Sequence, residues 1–361
     1  MLLRLDLNIP IVGGTLRDDF RIKKSLSTLN FLRGNGAKTI IISHIESAET
    51  KSLKPVYEYL SKFFNVAFFK DYFSEETKNA IDRMSEGDFI LLENLRIYEG
   101  EEKNSEHFAR QLASLGEIYV NDAFSVSHRN HASIIGVPKF LPSYAGILFE
   151  EEVMNLSSAF NPEHPFLFIL GGAKFETKMP LIEKFLKLAD FVFVGGALAN
   201  DFFKDKNYEI GLSVLSVKKF NLEKILNSDK LLLPVDVVVK NNQGVFIKRP
   251  SQVLKEDKIL DDGPETILML EKKLASSKFV LWNGPLGDYE KGFREGTVEL
   301  ARTIARCRAK SIIGGGDTLA VVSKMNLENK FSFISTGGGA MLDFLANETL
   351  SGIEALEASS S

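Results

Sequence analysis

Runs of apolar, β-branched residues alternate along the chain with segments in which apolar residues recur at helical spacing. In the first half the strand-like runs include "LLRLDLNIPIV", "TIIISHI", "DFILLENL" and "EIYVNDAF". Helical spacing occurs over about residues 23–33 and 53–64, and again from residues 75 and 105. Continuous apolar strands that are each followed by a helix are typical of βαβ units, in which a parallel sheet is buried on both faces.

The same alternation restarts at "PFLFILGGA" and continues through "FVFVGGALAN", "KLLLPVDVVV", "FVLWNGPLG", "SIIGGGDT" and "FSFISTGGGA". A helical pattern over about residues 149–160 separates the two series, and the prolines of "NPEHP" end it. We therefore predict an α/β protein with two doubly wound, Rossmann-like parallel-sheet domains joined by a helix. The predicted boundaries are 1–148 for the N-terminal domain, 149–163 for the helix and linker, 164–345 for the C-terminal domain, and 346–361 for a segment that returns toward the N-terminal domain and ends in a disordered tail.

Composition and charge narrow the possible functions. The chain has 361 residues, enough for two domains, and a formal net charge of −4. This charge gives no overall basic field that favours nucleic acid or anionic membranes, and no apolar run reaches the ~20 residues of a membrane-spanning helix. The single cysteine, Cys307, rules out an internal disulfide framework and suits a reducing compartment. We expect a cytoplasmic protein without nucleic-acid or membrane partners.

The two halves differ at the carboxyl ends of their predicted strands, where open α/β sheets bind ligands. In the first half these positions carry polar side chains, namely Asp6, Asn8, His44, Asn94, Arg96, Asn121 and Asp122. In the second half they carry glycines, at 171–172, 195–196, 284, 314–316 and 337–339. Each glycine cluster alone also fits a tight turn. Five clusters in one domain favour a nucleotide site, because backbone N–H groups at helix starts can close on phosphate.

Charged residues near these turns suggest phosphoryl chemistry. Lys174 and Lys178 follow a glycine turn four residues apart, which suits nucleotide phosphates, although a solvated basic face is the alternative. Asp317 follows three glycines at a predicted helix start, where a carboxylate either caps the helix or holds Mg²⁺. Arg21, Arg96 and Arg129 lie shortly after predicted strand ends in the first half, where arginine could bind carboxylate or phosphate.

Several longer stretches carry a resemblance to a known family. They are "RLDLNIP", "DDFRI", "LLENLR", "NDAFSVSHRNHAS", "FILGGAKFETK", "LDDGPET", "VLWNGPLGDYE", "SIIGGGDT" and "STGGGAMLDFL". In this order, over residues 4 to about 356, the sequence resembles phosphoglycerate kinase. The resemblance implies a monomeric, bilobal kinase with hinge closure. Such a kinase transfers a phosphoryl group between 1,3-bisphosphoglycerate and MgADP, and it forms 3-phosphoglycerate and MgATP.

The resemblance also implies which residues bind which substrate. In this family the N-terminal domain holds the phosphoglycerate, and the matching residues here are Asp6, Asn8, Arg21, His44, Ser47, Arg96 and Arg129. The C-terminal domain holds the nucleotide, and the matching residues are Gly172, Ala173, Lys178, Gly195, Gly196, Asn283, Pro285, Glu290, Gly315, Gly316, Asp317, Thr318 and Gly337. The resemblance assigns Arg21, Lys174, Lys178 and Gly338 to the transferring group, and it assigns Mg²⁺ to Asp317.

Two of the departures from the family pattern concern the substrates most directly, and one of them is Thr177, which stands before Lys178 where the family usually has Asp. The family normally has His-Leu-Gly-Arg-Pro where this chain has His44, Ile45, Glu46, Ser47 and Ala48. Ser47 thus stands at the position of an arginine. We expect the absence of this arginine, together with repulsion by Glu46, to weaken phosphoglycerate binding. Two alternatives to an active phosphoglycerate kinase remain open at this point. One is a nucleotide-binding relative without catalysis, and the other is a kinase for another small acyl phosphate.

Overall fold

The computed structural model describes residues 1–17, 19–47, 49–218 and 220–359, and these residues form two compact units. Unit 1 contains Met1–Met154 together with the C-terminal residues from Asn347, and unit 2 contains Asn155–Ala346. Ala48 of the altered "HIESA" stretch lies outside the described residues, as do Ser360 and Ser361 at the end of the predicted tail.

Unit 1 is built around a parallel sheet with the strand order β5-β6-β4-β1-β7-β8. Its core contains fully buried leucines and isoleucines such as Leu3, Ile41 and Leu91. A short antiparallel pair, β2 and β3, lies outside this sheet. The strands are β1 (Leu2–Arg4), β2 (Ile11–Val12), β3 (Thr15–Leu16), β4 (Thr39–Ile42), β5 (Val66–Phe69), β6 (Phe89–Leu92), β7 (Tyr119–Asn121) and β8 (Ser143–Ala145).

Helices alternate with these strands, as the sequence pattern predicts. The helices of the first half are α1 (Phe20–Gly34), α2 (Lys54–Leu60), α3 (Glu75–Asp82), α4 (Glu99–Glu102), α5 (Glu106–Ala113) and α6 (Ile147–Ser157). Two of them begin at serine caps, because Ser74 accepts a hydrogen bond from the N–H of Thr77 and Ser105 accepts one from the N–H of Phe108. The boundary between the two units falls inside α6.

Unit 2 contains a second parallel sheet, with the order β11-β10-β9-β15-β16-β17. All five residues of its inner strand Phe166–Leu170 are fully buried, which explains the unbroken apolar run there. The strands are β9 (Phe166–Leu170), β10 (Phe191–Val194), β11 (Leu231–Leu232), β12 (Val237–Asn241), β13 (Gly244–Lys248), β14 (Lys258–Asp262), β15 (Phe279–Asn283), β16 (Lys310–Gly314) and β17 (Phe333–Ile334). The predicted α/β fold with two parallel sheets is confirmed.

Glycine turns lead from several of these strands into helices, as the sequence predicts. The helices are α7 (Phe175–Leu188), α8 (Ala199–Asp205), α9 (Glu223–Leu226), α10 (Pro264–Leu274), α11 (Glu295–Arg306), α12 (Gly316–Lys324) and α13 (Gly339–Asn347). In the part of the chain that the structure describes, every helix is too short or too polar to cross a membrane.

The prediction of one strand over "KLLLPVDVVV" is wrong. Leu231–Leu232 pairs with β10 in the parallel sheet, whereas Val237–Asn241 belongs to a separate antiparallel sheet with the order β13-β12-β14. Pro234 lies between the two strands and cannot donate a ladder hydrogen bond, so the run divides at this residue. The antiparallel sheet was not anticipated from the sequence.

The last helix, α14 (Ser351–Ser359), belongs to unit 1. The N–H of Gly352 donates to the carbonyl of Ser127 at 2.8 Å, and the hydroxyl of Ser359 donates to the carbonyl of Leu141 at 3.1 Å. Leu356 is buried between these two contacts. The helix therefore continues through residue 359.

Candidate functional site

The carboxyl edge of the unit 1 sheet gathers several predicted site residues. Asp6 and Asn8 follow β1, and Arg21 reaches them from the first turn of α1. The Arg21 guanidinium donates to the Asp6 carboxylate at 2.6 Å and to the Asn8 carbonyl at 3.1 Å. Burial alone would raise the pKa of Asp6, but the charge of Arg21 and a hydrogen bond from Ser125 outweigh it and lower this pKa. Asp6 therefore stays ionised and orients Arg21.

A positive field surrounds His44, which follows β4. Burial is the largest cause that lowers the pKa of His44, and the charges of Arg4, Arg96 and Arg129 add to it, so that this pKa falls to about 2 despite the opposing Asp6 carboxylate. His44 is therefore neutral at pH 7. Arg129 is half-buried in this region. A neutral imidazole among several arginines suits hydrogen bonding to an anionic ligand.

Arg4 is a buried member of this group that the sequence analysis did not assign. Its side chain is almost fully buried, and its Nη2 lies 3.1 Å from Nδ1 of His44. Its Nε donates to the hydroxyl of Ser133 at 3.1 Å, and that hydroxyl in turn donates to the Glu101 carboxylate at 2.6 Å. A charged residue inside the apolar run "LLRLDL" was the available signal, because arginine is rarely fully buried unless it is paired.

The loops after β4 and β6 are tied together at the edge of this group. The Asn94 side chain accepts a hydrogen bond from the N–H of Ile45 at 3.2 Å and from the N–H of Arg96 at 3.1 Å. The carboxylate of Glu46 forms an ion pair with the guanidinium of Arg96. Ser47 is half-buried on the same rim, and its hydroxyl accepts from the N–H of Glu49 at 3.3 Å. The sequence analysis expected Glu46 to repel the substrate, and it did not anticipate this attraction to Arg96.

The strand-end residues of β7 serve the fold instead. The Asn121 side chain donates to the hydroxyl of Ser127 at 3.1 Å, and Asp122 accepts from the N–H of Phe149 in the first turn of α6 at 3.0 Å. Burial is the main cause that raises the pKa of Asp122 to about 7. Both side chains are occupied by contacts within unit 1, although their positions resemble those of Asp6 and His44.

In unit 2 the glycine turns after β9, β10 and β15 pack against one another. The N–H of Gly172 donates to the carbonyl of Pro285 at 2.7 Å, and the N–H of Leu198 donates to the carbonyl of Gly172 at 3.1 Å. A Cβ at Gly171 would overlap the carbonyl of Pro285, and Gly284 has φ +94° in the left-handed region. Close approach of backbone to backbone thus explains these glycines without a ligand.

The glycines after β16 and β17 are different, because space is open in front of them. A Cβ at Gly316 or Gly338 would meet no atom of the described chain within 4 Å. Gly315 and Gly338 have positive φ angles of +101° and +54°, and they precede α12 and α13. Gly337 donates its N–H to the hydroxyl of Ser335 at 3.0 Å. The N–H groups at the starts of α12 and α13 are therefore the ones best placed to meet phosphate.

Lys178 lies in the first turns of α7 and is buried, so a solvated basic face does not describe it. Its ammonium donates to the carbonyl of Gly171. Burial is the main cause that lowers the pKa of Lys178 to about 8, while Asp317 acts to raise it and Lys174 to lower it. Lys174 is exposed directly before α7, and Asp317 is exposed in the first turn of α12. The structure therefore brings the charges of these three residues together.

A cleft of about 240 Å³ opens beside these residues within unit 2. Its lining includes predicted nucleotide-binding residues, namely Gly172, Ala173, Gly196, Pro285, Glu290 and Asp317. Residues that the sequence analysis did not assign complete it, namely Ala197, Val214, Lys258, Ile259, Leu260, Asp261, Leu286, Gly287, Asp288 and Tyr289. Much of one wall comes from β14, in the antiparallel sheet. An apolar wall with charged groups at the rim suits a flat heterocycle that carries a polar tail.

The remaining predicted nucleotide residues lie around this cleft without lining it. The amide of Asn283 is buried and approaches the sulfur of Met341 at 3.6 Å. Thr318 is buried in α12, and its hydroxyl has no hydrogen-bond partner among the described residues. The N–H of Gly195 donates to the carbonyl of Leu170 at 2.9 Å, so Gly195 extends the pairing of β10 with β9 at the carboxyl ends of these strands.

Two buried carboxyl groups belong to the β14 side of the cleft, where Asp261 contributes to the lining and Asp262 does not. Asp262 is almost fully buried and accepts a hydrogen bond from the N–H of Gly196 at 3.2 Å. Burial is the largest cause that raises its pKa well above the ordinary value, and Asp261 and Asp236 add to the shift. Burial likewise raises the pKa of Asp261 to about 6. Asp262 thus holds the turn after β10, whereas Asp261 accepts a hydrogen bond from the N–H of Gly296 in the first turn of α11 at 3.1 Å. The stretch "LDDGPET" was the only signal of these acids in the sequence.

Comparison with known proteins identifies relatives over the whole chain. A family model described as phosphoglycerate kinase matches residues 1–348. A phosphoglycerate kinase of Pelotomaculum thermopropionicum is 40% identical over an alignment of 375 positions, which covers 99% of this chain and 95% of that protein. A phosphoglycerate kinase of Orientia tsutsugamushi is 41% identical, with coverage of 99% and 94%.

Solved structures agree with the sequence relatives. The structure of phosphoglycerate kinase from Coxiella burnetii matches with a TM-score of 0.85 at 35% identity, and it covers 99% of this chain and 95% of that one. The phosphoglycerate kinase from Pyrococcus horikoshii matches with a TM-score of 0.86 at 30% identity, with coverage of 99% and 96%. The resemblance inferred from the motifs is confirmed, and the chain belongs to the phosphoglycerate kinase family.

Proposed function

We propose that this protein transfers a phosphoryl group between 1,3-bisphosphoglycerate and MgADP to give 3-phosphoglycerate and MgATP. The observation that carries the proposal is the difference between the two strand-end sites. Unit 1 gathers arginines and a neutral His44, which suit a small anionic acid. Unit 2 holds a partly apolar cleft beside Lys178 and the open starts of α12 and α13, which suit a nucleotide. Membership of the phosphoglycerate kinase family supports the pairing of these two substrates.

The chemistry requires little from the protein beyond alignment and charge. A β-phosphate oxygen of ADP attacks the phosphorus of the acyl phosphate, and a new P–O bond forms. The old P–O bond to the acyl oxygen breaks, and its electron pair remains on the carboxylate of 3-phosphoglycerate. Because no proton is transferred, the protein contributes by aligning the reactants and neutralising the oxygens of the moving group.

We assign this neutralisation to groups from both units. Arg21, held by Asp6, would face the phosphoryl group from the acid side. Lys178, assisted by Lys174 and the N–H of Gly338, would face it from the nucleotide side. In unit 1 the acid itself would be bound by Asp6, Asn8, His44, Ser47, Arg96 and Arg129. The predicted hinge closure, monomeric state and cytoplasmic location stay predictions.

One residue of the cleft, Asp317, is suited to bind Mg²⁺. Mg²⁺ is commonly bound through one or two carboxylates together with substrate phosphates. Asp317 offers an exposed carboxylate at the start of α12, on the lining of the cleft. Within the described residues no three His, Cys, Asp or Glu side chains form a metal cluster, so the remaining ligands would come from the nucleotide and water. When bound, the ion would neutralise charge on the nucleotide phosphates.

Steady-state turnover with MgATP and 3-phosphoglycerate tests the proposal, with the acyl phosphate product consumed by a reductive coupling enzyme. We expect saturable turnover, and we expect Lys178→Ala to lose at least about a hundredfold in kcat because an aligned charge is removed. Lys187→Ala, an exposed lysine on the same helix, is the matched control and should retain activity. No turnover despite MgADP binding by calorimetry would contradict the proposal and favour a non-catalytic relative or another acid.

A further inference from the structure

The contact between Glu46 and Arg96 carries an inference about how the acid site selects its ligand. The Arg96 side chain is only 10% exposed, whereas Glu46 is 53% exposed on the rim. The ion pair therefore covers a guanidinium that has little other access to solvent. Glu102 approaches the Nε of the same guanidinium at 3.4 Å, so Arg96 already faces two carboxylates of the protein itself.

The position of Glu46 is built into the fold. Its own N–H donates to the side-chain oxygen of Asn8 at 2.8 Å. The preceding residue, Ile45, is bound on both sides by the Asn94 side chain, through its N–H at 3.2 Å and its carbonyl at 3.0 Å. Asn94 also accepts from the N–H of Arg96, so one buried amide fixes both partners of the ion pair. Glu46 is therefore held next to Arg96 by backbone and side-chain contacts together.

We propose that Glu46 is a specificity-determining residue whose carboxylate competes, within the molecule, with the anionic acid for Arg96. This inference rests on the proposed function, because Arg96 is assigned there to the acid. An incoming phosphate or carboxylate group must displace Glu46 before it can form a charge-assisted contact with the guanidinium. A doubly charged phosphate group displaces it more readily than a singly charged carboxylate does. Glu46 thus raises the concentration of acid that the enzyme needs and favours phosphorylated acids over unphosphorylated ones.

The test compares Glu46→Gln with Glu49→Gln. Both glutamates are exposed on the same rim, but the carboxylate of Glu49 accepts a hydrogen bond from the N–H of Gly13 at 2.7 Å. Each substitution removes one negative charge and keeps a side-chain oxygen acceptor. The Michaelis constant and kcat for 3-phosphoglycerate are measured at saturating MgATP. The dissociation constant for 3-phosphoglycerate alone is measured by calorimetry.

We expect Glu46→Gln to lower both the Michaelis constant and the dissociation constant about three- to tenfold, with kcat within about twofold of the parent. Glu49→Gln should change these constants by less than about twofold. Equal effects of the two variants would mean that only the total negative charge of the rim matters, which would overturn the proposal. The absence of any effect of Glu46→Gln would also overturn it. If the parent binds 3-phosphoglycerate without turnover and only Glu46→Gln tightens that binding, the proposed function fails while the competition by Glu46 stands.

Discussion

The ammonium group of Lys178 is buried beside the turn that follows β9, and its charge depends on pH. Burial is the main cause that lowers its pKa to about 8 in the free protein. As the pH rises through this value, the ammonium loses its proton and can no longer neutralise phosphate oxygens. We therefore predict that kcat/KM for MgATP falls about tenfold per pH unit above about pH 8, because kcat/KM reports ionisations of the free enzyme.

Lys178→Arg is the matched variant for this pH dependence. A guanidinium remains charged throughout the range, so its profile should be flat above pH 8 even if its absolute activity is low. The affinity for MgADP, measured by calorimetry, compares the parent with Lys178→Arg without any need for turnover. We expect this affinity to weaken with rising pH in the parent only. Bound phosphates favour the charged form, so kcat should depend on pH less than kcat/KM does. A parent profile of kcat/KM that stays level to pH 10 would contradict the assigned role.

At the scale of elements, α10 begins with a cap supplied from elsewhere in the chain. Its N-cap residue, Gly263, has no side chain, and the buried Asp236 before β12 accepts hydrogen bonds instead from the N–H groups of Glu265 at 3.0 Å and Thr266 at 2.7 Å. The Thr266 hydroxyl donates to the same carboxylate at 2.7 Å. We predict that Asp236→Ala lowers the free energy of unfolding of unit 2 by about 2–3 kcal/mol, because buried donors lose their acceptor.

Urea unfolding followed by circular dichroism measures this loss, and Asp236→Asn provides the comparison. The asparagine keeps one acceptor oxygen at the helix start but loses the negative charge that the helix dipole favours. The loss in the free energy of unfolding should therefore be smaller for Asp236→Asn than for Asp236→Ala. Equal costs for the two variants would indicate that the charge, and not the number of acceptors, stabilises α10.

The sequence pattern predicted the parallel sheets well because their strands are buried on both faces. Residues 166–170 and 279–282 form unbroken apolar runs, as expected of strands covered on both faces. The antiparallel sheet was missed for the opposite reason. Gly244–Lys248 exposes its apolar residues, and Lys258–Asp262 mixes apolar with charged residues. Neither run shows strict alternation or full burial, so tertiary packing and not local pattern forms this sheet.

The positions of the two candidate sites could be predicted from the sequence, but the contacts within them could not. The rule that ligands bind at the carboxyl ends of parallel strands located Asp6, His44 and the glycine turns. It did not separate Gly171, which is required by backbone packing, from Gly338, which faces open space. Nor did it give the ion pair of Glu46 with Arg96, because these residues are 50 positions apart and are brought together by the contacts of Asn94 and Asn8. Such contacts depend on the geometry of the folded loops.

At the scale of the whole molecule, each unit has its own parallel sheet, its own buried core and its own candidate site at the strand ends. The contacts that shape the proposed acid site, such as Arg21 with Asp6, lie within unit 1. Those that shape the cleft, such as Gly196 with Asp262, lie within unit 2. Neither site needs the other in order to form, so we infer that each substrate can bind without its partner and stabilise its own unit.

Hydrogen exchange measured by mass spectrometry tests this division with one ligand at a time. We predict that MgADP alone slows exchange at residues 171–173, 195–197 and 315–318, and that 3-phosphoglycerate alone slows exchange around residues 6–8, 44–46 and 94–96. At a ligand concentration of 100 times Kd, amides that exchange only after ligand release should slow about a hundredfold. For each ligand, the amides of the unit that is not expected to bind it serve as the internal control. Protection by MgADP in unit 1 alone would reverse the assignment of substrates to units, because each ligand orders the loops that bind it.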